Sequence, residues 1–180
     1  MNITLPFTDE VIKQLKCGDR ITISGTVYTA RDAAHKRMIE KLSNGEDLPF
    51  DPKGQTIYYA GPCPAKPGHV IGSCGPTTSG RMDAYTPALL DLGLKAMIGK
   101  GQRSPEVINA MVRNNCIYLG AIGGAGALYS KCITSMEVIA YEDLGPESVK
   151  KLTVENMPLT VIIDSYGNNL YDNKIKNGGI

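Results

Sequence analysis

The chain has 180 residues, the usual length of one domain, so we expect a single domain over residues 1–180 with a polar tail at about 172–180. Hydrophobic residues make up 42% of the chain and charged residues 21%, a composition that argues against a disordered chain. The 19 basic and 18 acidic residues leave a net charge of +1, which gives no broad basic face for nucleic acid. No apolar run approaches the roughly 18 residues of a membrane span, so we expect no membrane partner.

The first residues and the cysteines indicate a reducing compartment. The sequence MNITLPFTDE lacks a basic region followed by an apolar stretch, so we expect no signal peptide. Five cysteines are an odd number for a disulfide scaffold, which favours a cytoplasmic, reduced protein. None of them forms a C-x-x-C pair, so buried structural thiols are expected rather than a metal site made wholly by this chain.

Periodicity and cap residues predict alternating strands and helices. In chain order we predict an extended start at Ile3–Leu5, a helix at Thr8–Lys16, a strand at Arg20–Tyr28, a helix at Thr29–Asn44, a strand at Thr56–Ala60, a helix at Tyr85–Leu92, a strand at Lys95–Ile98, a helix at Ser104–Asn114, strands at Cys116–Ile122 and Ser135–Tyr141, one or two helical turns at Pro146–Leu152 and a strand at Leu159–Asp164. This alternation predicts an α/β layered domain.

Local signals support the helix ends. The sequence S-P-E from Ser104 combines a cap residue, a proline at the first helical position and an acid. Thr29 with Asp32 resembles a capping box, and Asn44-Gly45 is typical of a helix end.

The segment Gly72–Asp83, GSCGPTTSGRMD, is the first candidate for chemistry. Glycine-flanked backbone can approach a ligand closely and present N–H groups, and the hydroxyl groups of Thr77 and its neighbours add donors. Arg81 adds a planar, bidentate cation. Together these groups suit an oxyanion such as a carboxylate or a phosphate. The alternative is a plain solvated turn.

Arg31 falls in the first turn of the predicted helix Thr29–Asn44, where its charge opposes the helix dipole. A cation at this place is explained if an anion binds between the arginine and the helix N-terminus. The alternative is an ion pair of Arg31 with Asp32 or another surface carboxylate. His35 lies one turn further on, and a lone histidine is more often structural.

Two glycine-rich segments follow predicted strands. Lys100 lies between Gly99 and Gly101 at the exit of a strand, where ligands collect in α/β sheets, although a surface lysine in a turn is the alternative. The segment Gly120–Gly126, GAIGGAG, does not fit the spacing G-x-G-x-x-G, so tight backbone packing is expected there rather than nucleotide binding.

Three motifs point to a known family: KCGDRITISGTVYTARDAAHKRM, YYAGPCPAKPGHVIGSCGPTTSGRMD and MIGKGQRS. Together they resemble the β subunit of class I, iron–sulfur-dependent fumarate hydratase, a module that also forms the β subunit of L-tartrate dehydratase. The resemblance covers roughly Lys16 to Tyr166.

The resemblance implies a fold, a cofactor and a partner. The fold would be a swivelling β/β/α three-layer domain. The cofactor would be a [4Fe–4S] cluster whose cysteine ligands and open iron belong to a separate α subunit and not to this chain. The active site would lie between the two modules, in an α2β2-type hetero-oligomer. In isolation, the chain could instead form a homodimer through the surface meant for its partner.

The resemblance also implies roles for four residues. Arg31 matches the arginine of the family's A-R-D segment, which holds a substrate carboxylate. Arg81 and Lys100 match two further substrate contacts. Thr77 matches the residue proposed as catalytic base. A threonine hydroxyl needs an adjacent base or a strong positive field to ionise, so Thr77 either acts as the base or only orients the substrate.

The implied reaction is the reversible hydration of fumarate to L-malate, with a dicarboxylate as the small-molecule substrate. Dehydration of tartrate to oxaloacetate is the alternative, since malate and tartrate differ by one hydroxyl group. We favour fumarate because it dominates the family. A domain that binds small carboxylates without catalysis is a third possibility.

Overall fold

The computed structural model describes residues 1–172, so the predicted polar tail beyond Asp172 lies outside the described residues. The strands are β1 (Asn2–Thr4), β2 (Arg20–Thr29), β3 (Thr56–Tyr58), β4 (Ala96–Gly99), β5 (Ile117–Gly120), β6 (Ile133–Ala140) and β7 (Val149–Ile163). The α-helices are α1 (Asp9–Gln14), α2 (Asp32–Ser43), α3 (Thr86–Asp91), α4 (Pro105–Asn114) and α5 (Gly126–Lys131), and 3₁₀ helices cover Ser79–Met82 and Glu142–Glu147.

Seven strands form one mixed sheet in the order β1-β2-β3-β4-β5-β7-β6. Strands β2 to β5 are parallel to one another, whereas β7 runs antiparallel to β2, β5 and β6. Thr160 in β7 lies opposite Arg20 of β2 on one edge and opposite Gly120 of β5 on the other. The pairings β2–β3–β4–β5–β7–β2 therefore form a closed circuit, with β1 and β6 added outside it.

Side chains of the central strands alternate between two buried clusters, as the period of a strand requires. Tyr58, Ile98 and Leu119 belong to a cluster that also takes in α1. Their neighbours Tyr59 and Met97 belong to a second cluster, formed with α2, α3 and α4. Both faces of these strands are buried, and helices pack on the sheet, so the predicted α/β class is confirmed.

Several local predictions are confirmed. The Ser104 hydroxyl oxygen accepts the N–H of Val107 at the start of α4. The helix predicted from Thr8 begins with Thr8 as its N-cap, since the Thr8 hydroxyl oxygen accepts the N–H of Val11 at the start of α1. Helix α2 ends at Ser43 with Asn44 as its C-cap, in agreement with the predicted end at Asn44-Gly45. Most predicted strands and helices are present with ends that differ by a few residues, which is the usual precision of such boundaries.

The predicted start of helix α2 was wrong. Thr29 is the last residue of β2, where it pairs with Tyr58 and Lys150, and its hydroxyl oxygen accepts the N–H of Lys150 rather than capping a helix. The helix begins at Asp32 and its N-cap is Arg31, which makes no side-chain capping hydrogen bond. Pairing of β2 on both edges keeps the chain extended past the capping-box sequence.

The predicted helical turns at Pro146–Leu152 were also wrong. From Val149 onward the chain belongs to β7, and only Glu142–Glu147 forms a 3₁₀ helix. Pairing of β7 with both β2 and β6 overrides the local pattern, because a strand with partners on two edges satisfies its backbone groups through residues distant in sequence. Helix α5 was not predicted, since it begins within glycines and has no side-chain cap.

No helix within residues 1–172 has the length and apolar character needed to cross a membrane.

A substitution at Gly25 tests how closely β2 packs against Leu5, the residue that follows β1. The φ angle of Gly25 is 131°, and a Cβ atom added there would lie 2.9 Å from Cβ of Leu5. We expect Gly25→Ala to lower the free energy of unfolding by about 3 kcal/mol, because backbone strain and close contact act together. Urea denaturation measures the change.

Gly45→Ala is the matched control, since φ there is 71° but no atom lies within 4 Å of an added Cβ. Its cost should be about 1 kcal/mol, the strain of the left-handed conformation alone. Equal losses in the two variants would contradict the close contact.

Candidate active site

The candidate residues gather at one edge of the sheet. Because β2 to β5 are parallel, their carboxyl ends meet at the same edge, where ligands bind in α/β folds. Arg31 follows β2, Gly61 follows β3, Lys100 follows β4 and Gly123 follows β5. The prediction that Lys100 lies at a strand exit is therefore confirmed.

Arg31 is held against backbone and between two carboxylates. A Cβ on Gly61 would lie 2.7 Å from Nη1 of Arg31, so a side chain there would displace the guanidinium group from this position. The Arg31 Nε atom lies 3.8 Å from Oδ2 of Asp32 and 3.7 Å from Oε1 of Glu147. The ion pair with Asp32, expected as the alternative to a bound anion, is present, although Arg31 is the N-cap of α2 and not a residue of its first turn.

Arg81 reaches the same carboxylate from another element. It lies in the 3₁₀ helix Ser79–Met82, and its Nε atom donates to Oδ1 of Asp32 at 2.8 Å. Asp32 therefore lies between the two predicted substrate arginines, Arg31 and Arg81, and contacts both of them. The Arg81 side chain is 54% exposed, so its free edge is open to a ligand.

Thr77 and Lys100 are adjacent through their backbones. The N–H of Thr77 donates to the carbonyl oxygen of Tyr59 at 2.6 Å, and the N–H of Lys100 lies 3.4 Å from the carbonyl oxygen of Thr77. Ser79 in turn donates its N–H to the carbonyl oxygen of Lys100 at 2.8 Å. The G-P-T-T-S-G-R segment therefore runs beside the end of β4.

The Lys100 side chain is exposed and lies over the GAIGGAG segment. A Cβ on Gly123 would be 3.5 Å from Cδ and 3.8 Å from Nζ of Lys100. No carboxylate within residues 1–172 forms an ion pair with this ammonium group. The site thus holds three cations, Arg31, Arg81 and Lys100, against the carboxylates of Asp32 and Glu147, an arrangement suited to an anionic ligand.

A buried tyrosine ties the two functional loops together. The hydroxyl group of Tyr118 lies 2.8 Å from Oγ of Ser79 and donates to the carbonyl oxygen of Gly101 at 2.9 Å. Burial raises the pKa of Tyr118, so its hydroxyl group stays protonated and able to donate. Tyr118 thereby fixes the loops that carry Thr77 and Lys100.

Arg103 is a structural anchor that sequence reasoning missed. Its side chain is fully buried; Nε donates to Oδ1 of Asp83 at 2.7 Å, and Nη2 donates to the hydroxyl oxygen of Thr86 at 2.8 Å. The second oxygen of Asp83 accepts the N–H of Ser104. This pair fastens the end of the G-P-T-T-S-G-R-M-D segment to the start of α4, and no local sequence signal marks it.

His35 supports the structure, as expected for a lone histidine. The ring is completely buried, and its Nδ1 atom lies 2.9 Å from the carbonyl oxygen of Arg31. Burial lowers the pKa of His35 to about 4, so the imidazole is neutral at neutral pH. It contacts the backbone of Arg31 and supports the turn from β2 into α2.

The C-terminal end of the glycine cluster Gly120–Gly126 packs against backbone. The N–H of Cys74 donates to the carbonyl oxygen of Gly126 at 3.1 Å, and a Cβ on Gly126 would lie 3.0 Å from the nitrogen of Gly75. The prediction of tight packing is confirmed at Gly120 and Gly126 but not at Gly124, where an added Cβ would meet no atom within 4 Å.

The cysteines do not form a metal site. Within residues 1–172 there is no group of three or more histidine, cysteine, aspartate or glutamate side chains that could hold a metal ion. Burial raises the pKa of the Cys74 and Cys116 thiols to about 12, so neither is a ready thiolate ligand. The described residues therefore do not fit an iron–sulfur cluster of their own.

Fold and site together define an α/β chain that presents a cationic, hydroxyl-bearing rim at the carboxyl ends of parallel strands. A family model described as Fumarase C-terminus matches residues 1–174. The chain belongs to this family.

Curated relatives occur in two lengths. An aerobic class I fumarate hydratase from Escherichia coli strain K12 is 39% identical over 162 residues, which cover 89% of this chain and 30% of the relative. Fumarate hydratase 2 from Leishmania major is 40% identical over 162 residues, covering 89% of this chain and 28% of the relative. The chain thus spans about a third of these relatives or less.

A shorter relative matches along most of its length. A protein from Methanocaldococcus jannaschii, provisionally named L(+)-tartrate dehydratase subunit beta, is 39% identical over 171 residues, which cover 92% of this chain and 88% of the relative.

The free energy of unfolding at acidic pH tests whether His35 is buried in its neutral form. Between about pH 4 and 6.5 the unfolded chain binds a proton at His35 that the folded chain does not bind, so stability falls as the pH drops through this window. The contribution is roughly 3 kcal/mol. We expect His35→Gln to remove it, so that the variant loses less free energy of unfolding between pH 7 and pH 4 than wild type does.

Urea denaturation across this pH range measures the difference. His69→Gln is the control, because His69 is exposed and should leave the pH dependence of wild type intact. Identical pH dependence in His35→Gln and wild type would contradict the burial effect.

Proposed function

We propose that this chain is the β subunit of a [4Fe–4S]-dependent hydro-lyase that reversibly hydrates fumarate to L-malate. One observation carries the proposal: in a member of the Fumarase C-terminus family, Arg31, Arg81 and Lys100 lie at the same edge of the sheet as Thr77. A dicarboxylate carries two negative charges at a fixed spacing, which two arginines can bind bidentately.

The residues of this chain have distinct tasks in the proposed reaction. Dehydration of malate breaks the C–H bond at carbon 3 and the C–O bond at carbon 2. The proton passes to a base, the C–H electron pair forms the double bond, and the hydroxide leaves, so that the net products are fumarate and water. Arg31 and Arg81 hold the carboxylates, which keeps carbon 3 beside Thr77. The arginines and Lys100 stabilise the negative charge that develops as the proton leaves.

Thr77 is the proposed base. Its backbone is fixed by the Tyr59 carbonyl and by the contact with Lys100. In the proposed site its hydroxyl group would lie in the positive field of Arg31, Arg81 and Lys100. That field favours the ionised hydroxyl. In the alternative role, Thr77 orients the substrate without accepting the proton.

The cofactor is assigned to a partner. The described residues do not form a cluster site, so we propose that the [4Fe–4S] cluster is ligated by a separate α subunit. The relatives in which this domain fills only 30% of the chain support a further module of that kind. The assembly would be an α2β2-type hetero-oligomer in the cytoplasm, with this chain as one swivelling β/β/α domain.

A tartrate dehydratase β subunit is the second candidate function. The observation that favours it is length, since the relative named as such a subunit is covered over 88% of its own chain. Arg31 and Arg81 would bind the two carboxylates of tartrate in the same way, and the product would be oxaloacetate. A carboxylate-binding domain without catalysis would use the same cations.

Reconstitution tests the proposed function. The chain is combined under anaerobic conditions with a cluster-bearing α subunit of the same family, the complex is isolated, and fumarate hydration and tartrate dehydration are assayed. We expect malate to form from fumarate. Faster turnover of tartrate would establish the second candidate, and a stable complex that converts neither substrate would overturn both.

Thr77→Ala tests the proposed base. We expect the variant to lower kcat by at least about a hundredfold, while complex formation and cluster content stay unchanged, because only the hydroxyl group is lost. Thr77→Ser keeps that group and should retain most of the activity. Near-normal turnover by Thr77→Ala would exclude a role as base.

A further inference from the structure

A single carboxylate connects the two arginines of the candidate site. Oδ1 of Asp32 accepts the Nε–H of Arg81 at 2.8 Å, and Oδ2 of the same group lies 3.8 Å from Nε of Arg31. Asp32 is the first residue of α2, whereas Arg81 belongs to the 3₁₀ helix Ser79–Met82. This carboxylate therefore lies between the two guanidinium groups.

Contact through Nε leaves the outer edge of each arginine free. A guanidinium group has five N–H donors, and four of them are on the two terminal nitrogens. Within residues 1–172, no terminal nitrogen of Arg31 or Arg81 donates a hydrogen bond to the protein. Each arginine can thus present an end-on, bidentate edge to a ligand while Asp32 holds its inner side.

Glu147 supports the arrangement from behind. Its Oε1 atom lies 3.7 Å from Nε of Arg31. The loop that carries Glu147 is fixed by the nearly buried Lys150, whose Nζ atom donates to Oγ of Ser148 at 2.6 Å and to the carbonyl oxygen of Pro146 at 3.1 Å. Because of this anchor, Glu147 is a second fixed point for Arg31.

Three atoms of the cluster are buried without hydrogen bonds: Nε of Arg31, Oδ2 of Asp32 and Oε1 of Glu147. Buried polar atoms without partners are unfavourable, and these are separated by distances about 1 Å longer than an ion-paired hydrogen bond. A small movement of Arg31 would satisfy two of them at once. The cluster is therefore able to tighten when an anion orders the outer edge of the arginine.

We propose that Asp32, backed by Glu147, is a positioning residue that sets the spacing of Arg31 and Arg81 and thereby makes the site select dicarboxylates over monocarboxylates. This inference rests on the proposed function only in that both require Arg31 and Arg81 to bind carboxylates. A monocarboxylate needs one arginine, whereas a dicarboxylate needs both at the correct distance.

The charge of Asp32 alone predicts the opposite effect on carboxylate affinity from a positioning role. Asp32 is an anion inside an anion-binding site, so removal of its charge should strengthen the binding of every carboxylate. If Asp32 positions the arginines, its removal instead weakens the binding of a dicarboxylate, because two freed side chains must be ordered by the ligand. The sign of the change separates the two accounts.

The experiment compares fumarate with crotonate, which has the same carbon chain and double bond but one carboxylate. Affinities for the purified full-length chain are measured by calorimetry for wild type and for Asp32→Asn. We expect Asp32→Asn to weaken fumarate binding about tenfold and not to weaken crotonate binding. Asp32→Glu, which restores the charge, should recover part of the preference for fumarate, and Glu147→Gln should reduce it less than Asp32→Asn does.

Asp143→Asn is the matched control. Asp143 also binds an arginine of α2, since it accepts from Arg37 at 2.8 and 2.9 Å, but it lies outside the cluster around Asp32. This variant should keep the wild-type preference, and thermal unfolding should confirm that both asparagine variants are folded. Glu147→Gln provides the same comparison if Asp32→Asn does not fold.

The outcomes distinguish this inference from the proposed function. Tighter or unchanged fumarate binding by Asp32→Asn, or equal loss for both ligands, would overturn the positioning role while leaving the hydro-lyase proposal intact. If Asp32→Asn selectively loses fumarate binding while the reconstituted wild-type complex has no hydro-lyase activity, the positioning role is supported and the proposed function is refuted. Equal affinity of wild type for fumarate and crotonate would overturn the positioning role.

Discussion

Parallel pairing of β2, β3, β4 and β5 is the constraint on which the site depends. Each of these strands ends at the same edge of the sheet, so residues that follow different strands become neighbours without any local sequence relationship. Arg31 and Lys100 reach the site in this way. Arg81 and Thr77 reach it because the segment that carries them is bonded to the backbone at the ends of β3 and β4. The cations are therefore placed by the sheet and oriented by a few buried groups.

Close approach of other groups to glycine backbone is the second condition. A Cβ on Gly61 would collide with the guanidinium group of Arg31, and one on Gly99 would collide with the side chain of Ser79. A Cβ on Gly126 would press on the backbone at Gly75. The chain has 20 glycines, and these three lie where loops of the candidate site meet. Their lack of a side chain leaves room for Arg31, for Ser79 and for the backbone at Gly75.

The parts of the fold that could be predicted from sequence are those with a local cause. The cap and proline at Ser104-Pro105 mark the start of α4, and alternation of apolar residues marks β2. Lys100 could be assigned to a strand exit because the strand before it is short and apolar. The beginning of β7 could not be predicted, since pairing with β2 and β6 determines it.

The same distinction holds for the site. Arg31, Thr77, Arg81 and Lys100 stand in short motifs that resemble a family, so they could be named from sequence. Glu147 and Tyr118 contact those motifs only through the tertiary fold, and nothing in their immediate sequence indicates it. The supporting partners of a functional side chain come from elements distant along the chain, and only the arrangement in space identifies them.

The closed circuit of strand pairings determines which contacts this domain keeps when it is joined to other modules. A sheet that closes on itself through β7 satisfies the edges of its central strands internally, and both of its buried clusters are built from this chain. The peptide link to any further module then contributes nothing to these hydrogen bonds or to this packing. Such a unit keeps these contacts whether or not it is joined to a further module, as expected for relatives in which the matched region covers 30% of a long chain and 88% of a shorter one.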